Sequence, residues 1–337
     1  IEQPFRKIKK INFKKLFISS ILILLIFLTF SIYAIKEKGL PERYPNVILK
    51  HFQNSHPYNL VKKNGKFCHN NICTFNEKYN FEIFLLGDSN IATLQKPILD
   101  YTLKEKFKFT TLTSDGCPYI KNFEKKSKKT NQIVGCYIKD FELKRDLILS
   151  NRNSLVIIGQ RMPLYLSGSY FDNKEGGVEG GKWPNIFVNK ENLNNHNDTD
   201  IKNFKLNFIS SINEILNNGN KIALVYPIPE VGWNPIRRLL NNSYFNKQNI
   251  KQMLDKNFIS TSFKIYKERT RETYELYDKI SHPNVIRVYP SSLFCNTVLP
   301  NRCVANDTYG MFYYDDDHLS EYGSTLLFKE ILKNINF

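Results

Sequence analysis

The alternation of apolar and polar positions divides the 337-residue chain into three regimes. Leu16 to Ile35 is almost wholly apolar and carries no charge. About 20 such residues span a bilayer, and no polar period interrupts the run, so it predicts a transmembrane helix rather than a buried core helix. Residues 36–80 are polar, with Pro41, Pro45, Pro57 and Gly65, and predict a linker that packs partly on the domain after it. From Phe81 onward, short apolar runs alternate with longer amphipathic stretches. Phe81 to Leu86, Phe107 to Leu112, Ser154 to Ile158, Ile222 to Tyr226 and Val285 to Tyr289 read as strands. Phe204, Phe208, Ile212 and Ile215 recur at helical spacing behind Asp200 as a cap. Phe263, Tyr266, Tyr274, Tyr277 and Ile280 mark a second amphipathic helix, and Ser320 to Asn334 a terminal one. Strands separated by helices predict an α/β fold, a parallel sheet between two helical layers. In such sheets the site lies at the carboxyl ends of the strands.

Candidate chemistry sits at two of those ends. The first strand closes in Gly87-Asp88-Ser89. Glycine permits a sharp turn there, and the start of the next helix favours developing negative charge. Ser89 is placed as a nucleophile would be, and equally as an N-cap. Near the C-terminus the chain reads Asp315-Asp316-Asp317-His318. A serine nucleophile needs a base, and the base a carboxylate to hold its tautomer. Asp315 and His318, three residues apart, can meet in one turn. Asp316 and Asp317 read as an acidic cap for the last helix. Asp88 reads as a turn-holding residue. His51 and His56 fall in the linker, and His69, His196 and His282 have no carboxylate at a matching spacing.

Charge and cysteines add a compartment. Arg6, Lys7, Lys9, Lys10, Lys14 and Lys15 precede the apolar run, and only Lys36 and Lys38, offset by Glu37, follow it closely. The positive-inside rule puts the N-terminus in the cytoplasm and the large remainder outside, so the basic run is a topology signal and no nucleic-acid partner is expected. Outside, disulfides persist. The simplest pairing of the six cysteines joins neighbours: Cys68–Cys73, Cys117–Cys136 and Cys295–Cys303. None has tight Cys-x-x-Cys spacing, so no metal site is expected. The net charge of +16 points to anionic partners or surroundings.

Gly87-Asp88-Ser89 and Asp315-x-x-His318 resemble the first and last sequence blocks of the SGNH (GDSL-like) hydrolase superfamily. The opening Ile1-Glu2-Gln3-Pro4-Phe5-Arg6-Lys7 resembles the end of the membrane acyltransferase-3 domain. Together they resemble the C-terminal part of a bacterial acyltransferase-3 O-acetyltransferase with a fused SGNH domain, and the start at Ile1 fits a fragment. The resemblance implies a three-layer α/β/α SGNH-hydrolase-like fold behind one transmembrane helix. It divides the chain into residues 1–15 (cytoplasmic end of the acyltransferase-3 domain), 16–35 (span), 36–80 (periplasmic linker) and 81–337 (SGNH domain), at the bacterial inner membrane.

It also implies the chemistry. Ser89, His318 and Asp315 are the expected triad, with no cofactor bound by this domain. The expected oxyanion donors are the N–H groups of Ser89 and of Gly116, which otherwise only shapes a turn beside a disulfide. The superfamily's third donor, an asparagine in a Gly-x-Asn-Asp block, is missing. The chain instead reads Ile158-Gly159-Gln160-Arg161, so Gln160 or Arg161 is the candidate third donor, or a structural residue. The expected partners are the acyltransferase-3 domain, fed by acetyl-CoA from the cytoplasm, the membrane, and an anionic surface glycan such as lipopolysaccharide or lipooligosaccharide. The expected reaction is O-acetyl transfer to a glycan hydroxyl through an acetyl-serine. The alternatives are a membrane-anchored carbohydrate acetylesterase and a non-catalytic glycan-binding domain. The Gly- and Asn-rich stretch Gln160 to Asp200 reads either as a substrate-covering loop or as disorder.

Overall fold

The structure, a computed structural model, describes residues 12–37, 60–190, 199–239 and 258–335. The acyltransferase-like opening, the 38–59 part of the linker with His51 and His56, and His196 lie outside the described residues. The chain divides into two units, residues 1–50 and 51–337.

The first unit carries helix α1 (Phe13–Lys36), three residues longer at its start and one at its end than the apolar run. The Asn12 side chain accepts the Lys15 N–H and caps it. At 24 residues it is about 36 Å long, enough to cross a hydrocarbon core of about 30 Å, and none of its residues is buried.

The second unit is built on one six-stranded sheet. Its strands, in chain order, are β3 (Cys73–Phe75), β4 (Glu82–Gly87), β5 (Lys108–Thr113), β8 (Leu155–Gly159), β10 (Lys221–Val225) and β12 (Val285–Val288). The preceding β1 (Lys62–Lys63) and β2 (Lys66–Phe67) form a small hairpin. The spatial order is β12-β10-β8-β4-β5-β3. Five strands run parallel. Edge strand β3 is antiparallel to β5, so the sheet is mixed, and the expected linker already contributes a strand before residue 81. Three polar-flanked residues carry too short an alternation to reveal that strand.

The central parallel strands β4 and β8 were legible because they are buried on both faces. All of Glu82–Gly87 and Leu155–Gly159 is buried. Phe84, Leu86, Val156, Ile158, Ile222 and Leu224 pack with Phe204, Phe208, Ile212 and Ile215 of α6 (Ile201–Asn217), which Asp200 caps through the Asn203 N–H. Each such buried side chain contributes about 1.5–3 kcal/mol. By the two-residue alternation of a strand, Ile83, Leu85, Ile157 and Ala223 point the other way. They are equally buried, on the side of α2 (Ser89–Ala92), α3 (Gln95–Glu105) and α9 (Glu321–Asn334). Helix α4 (Ile138–Leu149) lies beside α6. The second amphipathic helix is α7 (Phe263–Tyr277), and Ile280 falls just beyond it. Short helices α5 (Met162–Ser167) and α8 (Ser291–Phe294) complete the set.

The segment from Gln160 to Asp200 is structured wherever it is described. After α5, bridges Ser169↔Lys182 and Asp172↔Val178 close a hairpin over buried Phe171, Asn173 and Trp183. Strand β9 (Asn185–Asn189) then pairs with β6 (Phe123–Ser127), which also pairs with β7 (Ile133–Gly135). A last pair joins β11 (Ser260–Ser262) and β13 (Arg302–Val304). Lysine-rich β6 hides its strand character because it has no apolar run, and one of its two neighbours, β9, comes from more than 50 residues away.

The five parallel strands, numbered by sequence, follow the order 2-1-3-4-5. Their switch point lies between β4 and β8, where open α/β sheets place a ligand crevice.

Candidate active site

Strand β4 delivers Ser89 to that crevice. Gly87 has φ +137°, and a Cβ there would lie 1.9 Å from the Gly159 carbonyl oxygen, so only glycine lets β4 and β8 approach this closely. Asp88 then caps α2, accepting the Asn90 N–H at 3.0 Å. Its other oxygen accepts the Arg161 N–H at 2.6 Å and the Tyr165 O–H at 2.5 Å. Burial pushes the Asp88 carboxyl up, and these bonds pull it back only in part. Asp88 therefore holds the turn and stitches the crevice. Ser89 occupies the first position of the helix, where the backbone N–H has no intrahelical partner.

The loop before α9 brings the base. Asp315 Oδ1 accepts the N–H groups of His318 at 2.7 Å and Asp317 at 3.1 Å, which folds the four residues into one turn. His318 Nδ1 then lies 2.9 Å from Asp315 Oδ2, and Nε2 lies 2.9 Å from Ser89 Oγ. Residues 229 positions apart thus form a serine–histidine–aspartate relay. Ser320 caps α9, the role the acidic residues were expected to fill.

Asp317 is the site residue that the spacing missed. Its Oδ1 lies 2.8 Å from His318 Nδ1, so two carboxylates face one ring nitrogen, with Asp315 in hydrogen-bond geometry. Burial works against charge on His318, but Asp317 and Asp315 outweigh it and hold its pKa well above the usual histidine value. Burial likewise opposes charge on Asp317, but His318 and Arg161 hold its carboxyl below the ordinary range. Asp316 is pushed up to about 6 by burial, with Asp317, Glu179 and Asp315 adding to it. Asn90, also missed, donates from Nδ2 to the Asp317 carbonyl at 3.1 Å and to its Oδ2 at 3.2 Å. It ties the serine helix to the histidine loop. Donor atoms of Asp315, Asp317 and His318 lie within 4.8 Å of one another. That is compact enough for a cation, but here the carboxylates already face Nδ1.

Of the candidate third donors, Arg161 is turned to other work. The Arg161 guanidinium donates from Nε to Glu230 Oε1 at 2.7 Å and from Nη1 to Glu179 Oε1 at 2.8 Å, and Nη1 lies 3.0 Å from Asp317 Oδ2. Arg269 shares Glu230 at 2.9 Å. A guanidinium facing three carboxylates is not free to meet an oxyanion, and the backbone N–H of Arg161 is taken by Asp88. Gln160 accepts the Tyr119 N–H through Oε1 at 3.0 Å and is 5% exposed, while its Nε2 donor is buried with no hydrogen-bond partner among the described residues. Gly116 lies in the turn that Cys117 N–H closes on Ser114 O at 3.2 Å. Its φ is +54°, and among the described residues its own N–H has no hydrogen-bond partner. The structure contains all three neighbour disulfides, Cys68–Cys73, Cys117–Cys136 and Cys295–Cys303.

One histidine has a partner that its spacing did not show. His69 does face a carboxylate: its Nε2 lies 2.5 Å from Asp115 Oδ1, and Nδ1 lies 3.0 Å from Thr113 Oγ1. The partners are 46 residues apart, so no local spacing could show them. His69 holds the Asp115 carboxyl down at about 2.

The sequence matches the family described as the SGNH domain (fused to AT3 domains) over residues 57–333. The chain belongs to this family. No curated protein matches it. Among solved structures, this SGNH domain is similar to the periplasmic domain of the lipopolysaccharide acetyltransferase of Salmonella ser. Paratyphi A. The identity is 17% over 75% of this chain and 83% of that one, with a TM-score of 0.49. An acetyl xylan esterase is 12% identical over 76% of this chain and 100% of its own, with a TM-score of 0.36. A GDSL-like lipase from Bacteroides thetaiotaomicron is 12% identical over 77% and 91%, with a TM-score of 0.32. Family membership rests on the sequence match.

Proposed function

We propose that this SGNH domain is the exported half of an O-acetyltransferase that moves an acetyl group onto a hydroxyl of a bacterial surface glycan. The observation that carries the reading is the approach of His318 Nε2 to Ser89 Oγ at 2.9 Å, with Asp315 on the opposite ring nitrogen. Ser89 Oγ attacks the donor's acetyl carbonyl while its proton passes to His318 Nε2. Asp315 and Asp317 stabilise the imidazolium. The oxyanion accepts hydrogen bonds from the Ser89 and Gly116 N–H groups, each such donor being worth about 3 kcal/mol of barrier. Collapse returns the proton to the leaving group and leaves acetyl-Ser89. His318 next takes the proton of a glycan hydroxyl, whose oxygen attacks the ester. The acetyl group moves to the glycan, and Ser89 recovers its proton.

Three features support transfer at a membrane. The family is one of domains fused to AT3 domains, which makes an acyltransferase-3 membrane domain the natural donor partner, charged from acetyl-CoA on the cytoplasmic side. Helix α1 is long and apolar enough to cross a membrane. Three disulfides fit an oxidising compartment, with the N-terminus cytoplasmic. The net charge of +16 suits an anionic glycan or lipid surface.

A carbohydrate acetylesterase uses the same relay with water in place of the glycan hydroxyl. The test is to label the full chain with a fluorophosphonate and to map acetyl groups on the cell's glycan by mass spectrometry. Labelling and glycan acetylation are both lost in Ser89→Ala if the transfer reading holds. Persistent labelling in that variant removes Ser89 as nucleophile, and a glycan that gains acetyl groups in it identifies an esterase.

A further inference from the structure

A cavity of about 270 Å³ opens against the end of β4 and the Ser114–Cys117 turn. Its wall includes Gly87, two residues from Ser89 and so within about 7 Å along the chain. Two lysines reach into it from different elements, Lys125 from β6 and Lys144 from α4. Lys125 Nζ donates to the Asp115 carbonyl at 2.9 Å, and Lys144 Nζ donates to Ser114 Oγ at 2.7 Å. An ammonium has three donors, so each has hydrogens left for another partner. Among the described residues neither lysine pairs with a carboxylate within 4 Å, although both are partly buried. Burial lowers the pKa of both, that of Lys144 to about 8. Desolvating a cation is unfavourable unless an anion joins it.

Asp115 and Asp140 share the lining and offset the lysine charge only in part, Asp115 with Asp88 acting on Lys125 and Asp140 on Lys144, without a close ion pair to either. Asp115 faces His69 and accepts from Asn70 Nδ2 at 2.7 Å. Asp140 stands exposed in the first turn of α4 and forms no ion pair with Lys144. The cavity lining thus presents two cations, neither in a close ion pair, beside the turn that carries Gly116.

We propose that this cavity is the acceptor subsite, in which Lys125 and Lys144 bind an anionic substituent, carboxylate or phosphate, of the glycan whose hydroxyl meets Ser89. This rests on the acetyl-transfer reading for the identity of the ligand, while the anion site itself rests on the cavity and its lysines. Charge-assisted hydrogen bonds from two fixed ammonium groups orient an acceptor ring as well as hold it. The cavity lies near the lower end of ligand-pocket sizes, about 300 Å³, so it takes one charged unit of a longer chain.

The test titrates the full chain in detergent with glucuronate, inorganic phosphate and glucose, reading each Kd by ligand-observed NMR. At least one anion is expected to bind about tenfold more tightly than glucose, and the tighter of the two identifies the substituent. Lys125→Met/Lys144→Met is expected to erase that preference. Lys125→Arg and Lys144→Arg, which keep the charge, are expected to retain it, separating loss of charge from loss of fold. Equal affinity for all three probes, or an undiminished preference in the Met variant, overturns the proposal. Fluorophosphonate labelling of the same wild-type sample keeps the two readings apart. Labelled Ser89 without anion preference sinks the subsite alone. Anion preference without labelling upholds the site and sinks acetyl transfer.

Discussion

Asp317 lies beneath His318, its Oδ1 2.8 Å from Nδ1, although the three-residue spacing pointed to Asp315. The histidine thus has an exposed-side partner that sets its geometry, Asp315, and a buried one, Asp317, that is itself held by Arg161 and Asn90. The two carboxylates make separable contributions.

Asp317→Asn removes negative charge from beside the imidazolium. The charged ring loses stabilisation, so its pKa falls from its raised value, and the free-base form that accepts the Ser89 proton appears at lower pH. The acid limb of the kcat/KM profile on a small acetyl ester is expected to move to lower pH. Asp315→Asn removes the tautomer-holding acceptor and is expected to lower kcat by about 10²–10⁴. An unmoved acid limb in Asp317→Asn would show that the buried carboxylate does not act on the base.

Arg161→Met leaves Glu179, Glu230 and Asp317 close together without their shared cation. Breaking a buried ion cluster from one side costs about 3–5 kcal/mol, with Arg269 still covering part of Glu230. Denaturant unfolding is expected to show a loss in that range. A loss under about 1 kcal/mol would mean that the cluster is solvated.

Gly87→Ala puts a Cβ 1.9 Å from a backbone carbonyl that belongs to the next strand. Neither strand can retreat without breaking the core pairing, so the variant is expected to misfold or to lose the Ser89 position. Gly181→Ala, where a Cβ meets nothing within 4 Å, is the matched control and is expected within about 0.5 kcal/mol of wild type. Circular dichroism and thermal melts of the pair distinguish the two.

Cys117–Cys136 closes a loop of 19 residues in sequence separation, which spans the Gly116 turn and β6. Replacing both by Ser is expected to cost about 3 kcal/mol through the freedom gained by the unfolded chain. It should also raise KM for an anionic acceptor, because Lys125 sits inside the released loop. The check is a melt together with transfer kinetics, and an unchanged KM would detach the loop from acceptor binding.

The sequence by itself determined what is local or periodic. The succession of strands along the chain, the apolar stripes of α6 and α7, the glycine turn after β4, and the meeting of Asp315 with His318 all depend on spacings of a few residues. Burial on both faces or on one stripe writes those spacings into the chain. Tertiary structure alone decided the pairings that no spacing encodes. Arg161 was engaged by Glu179, Glu230 and Asp317 and so withdrawn from the oxyanion. His69 met Asp115, β3 joined the sheet edge antiparallel, and Lys125 and Lys144 came to share one cavity. Charged and polar residues take their partners from wherever the packed apolar layers bring them. Their roles exist only once those layers have closed.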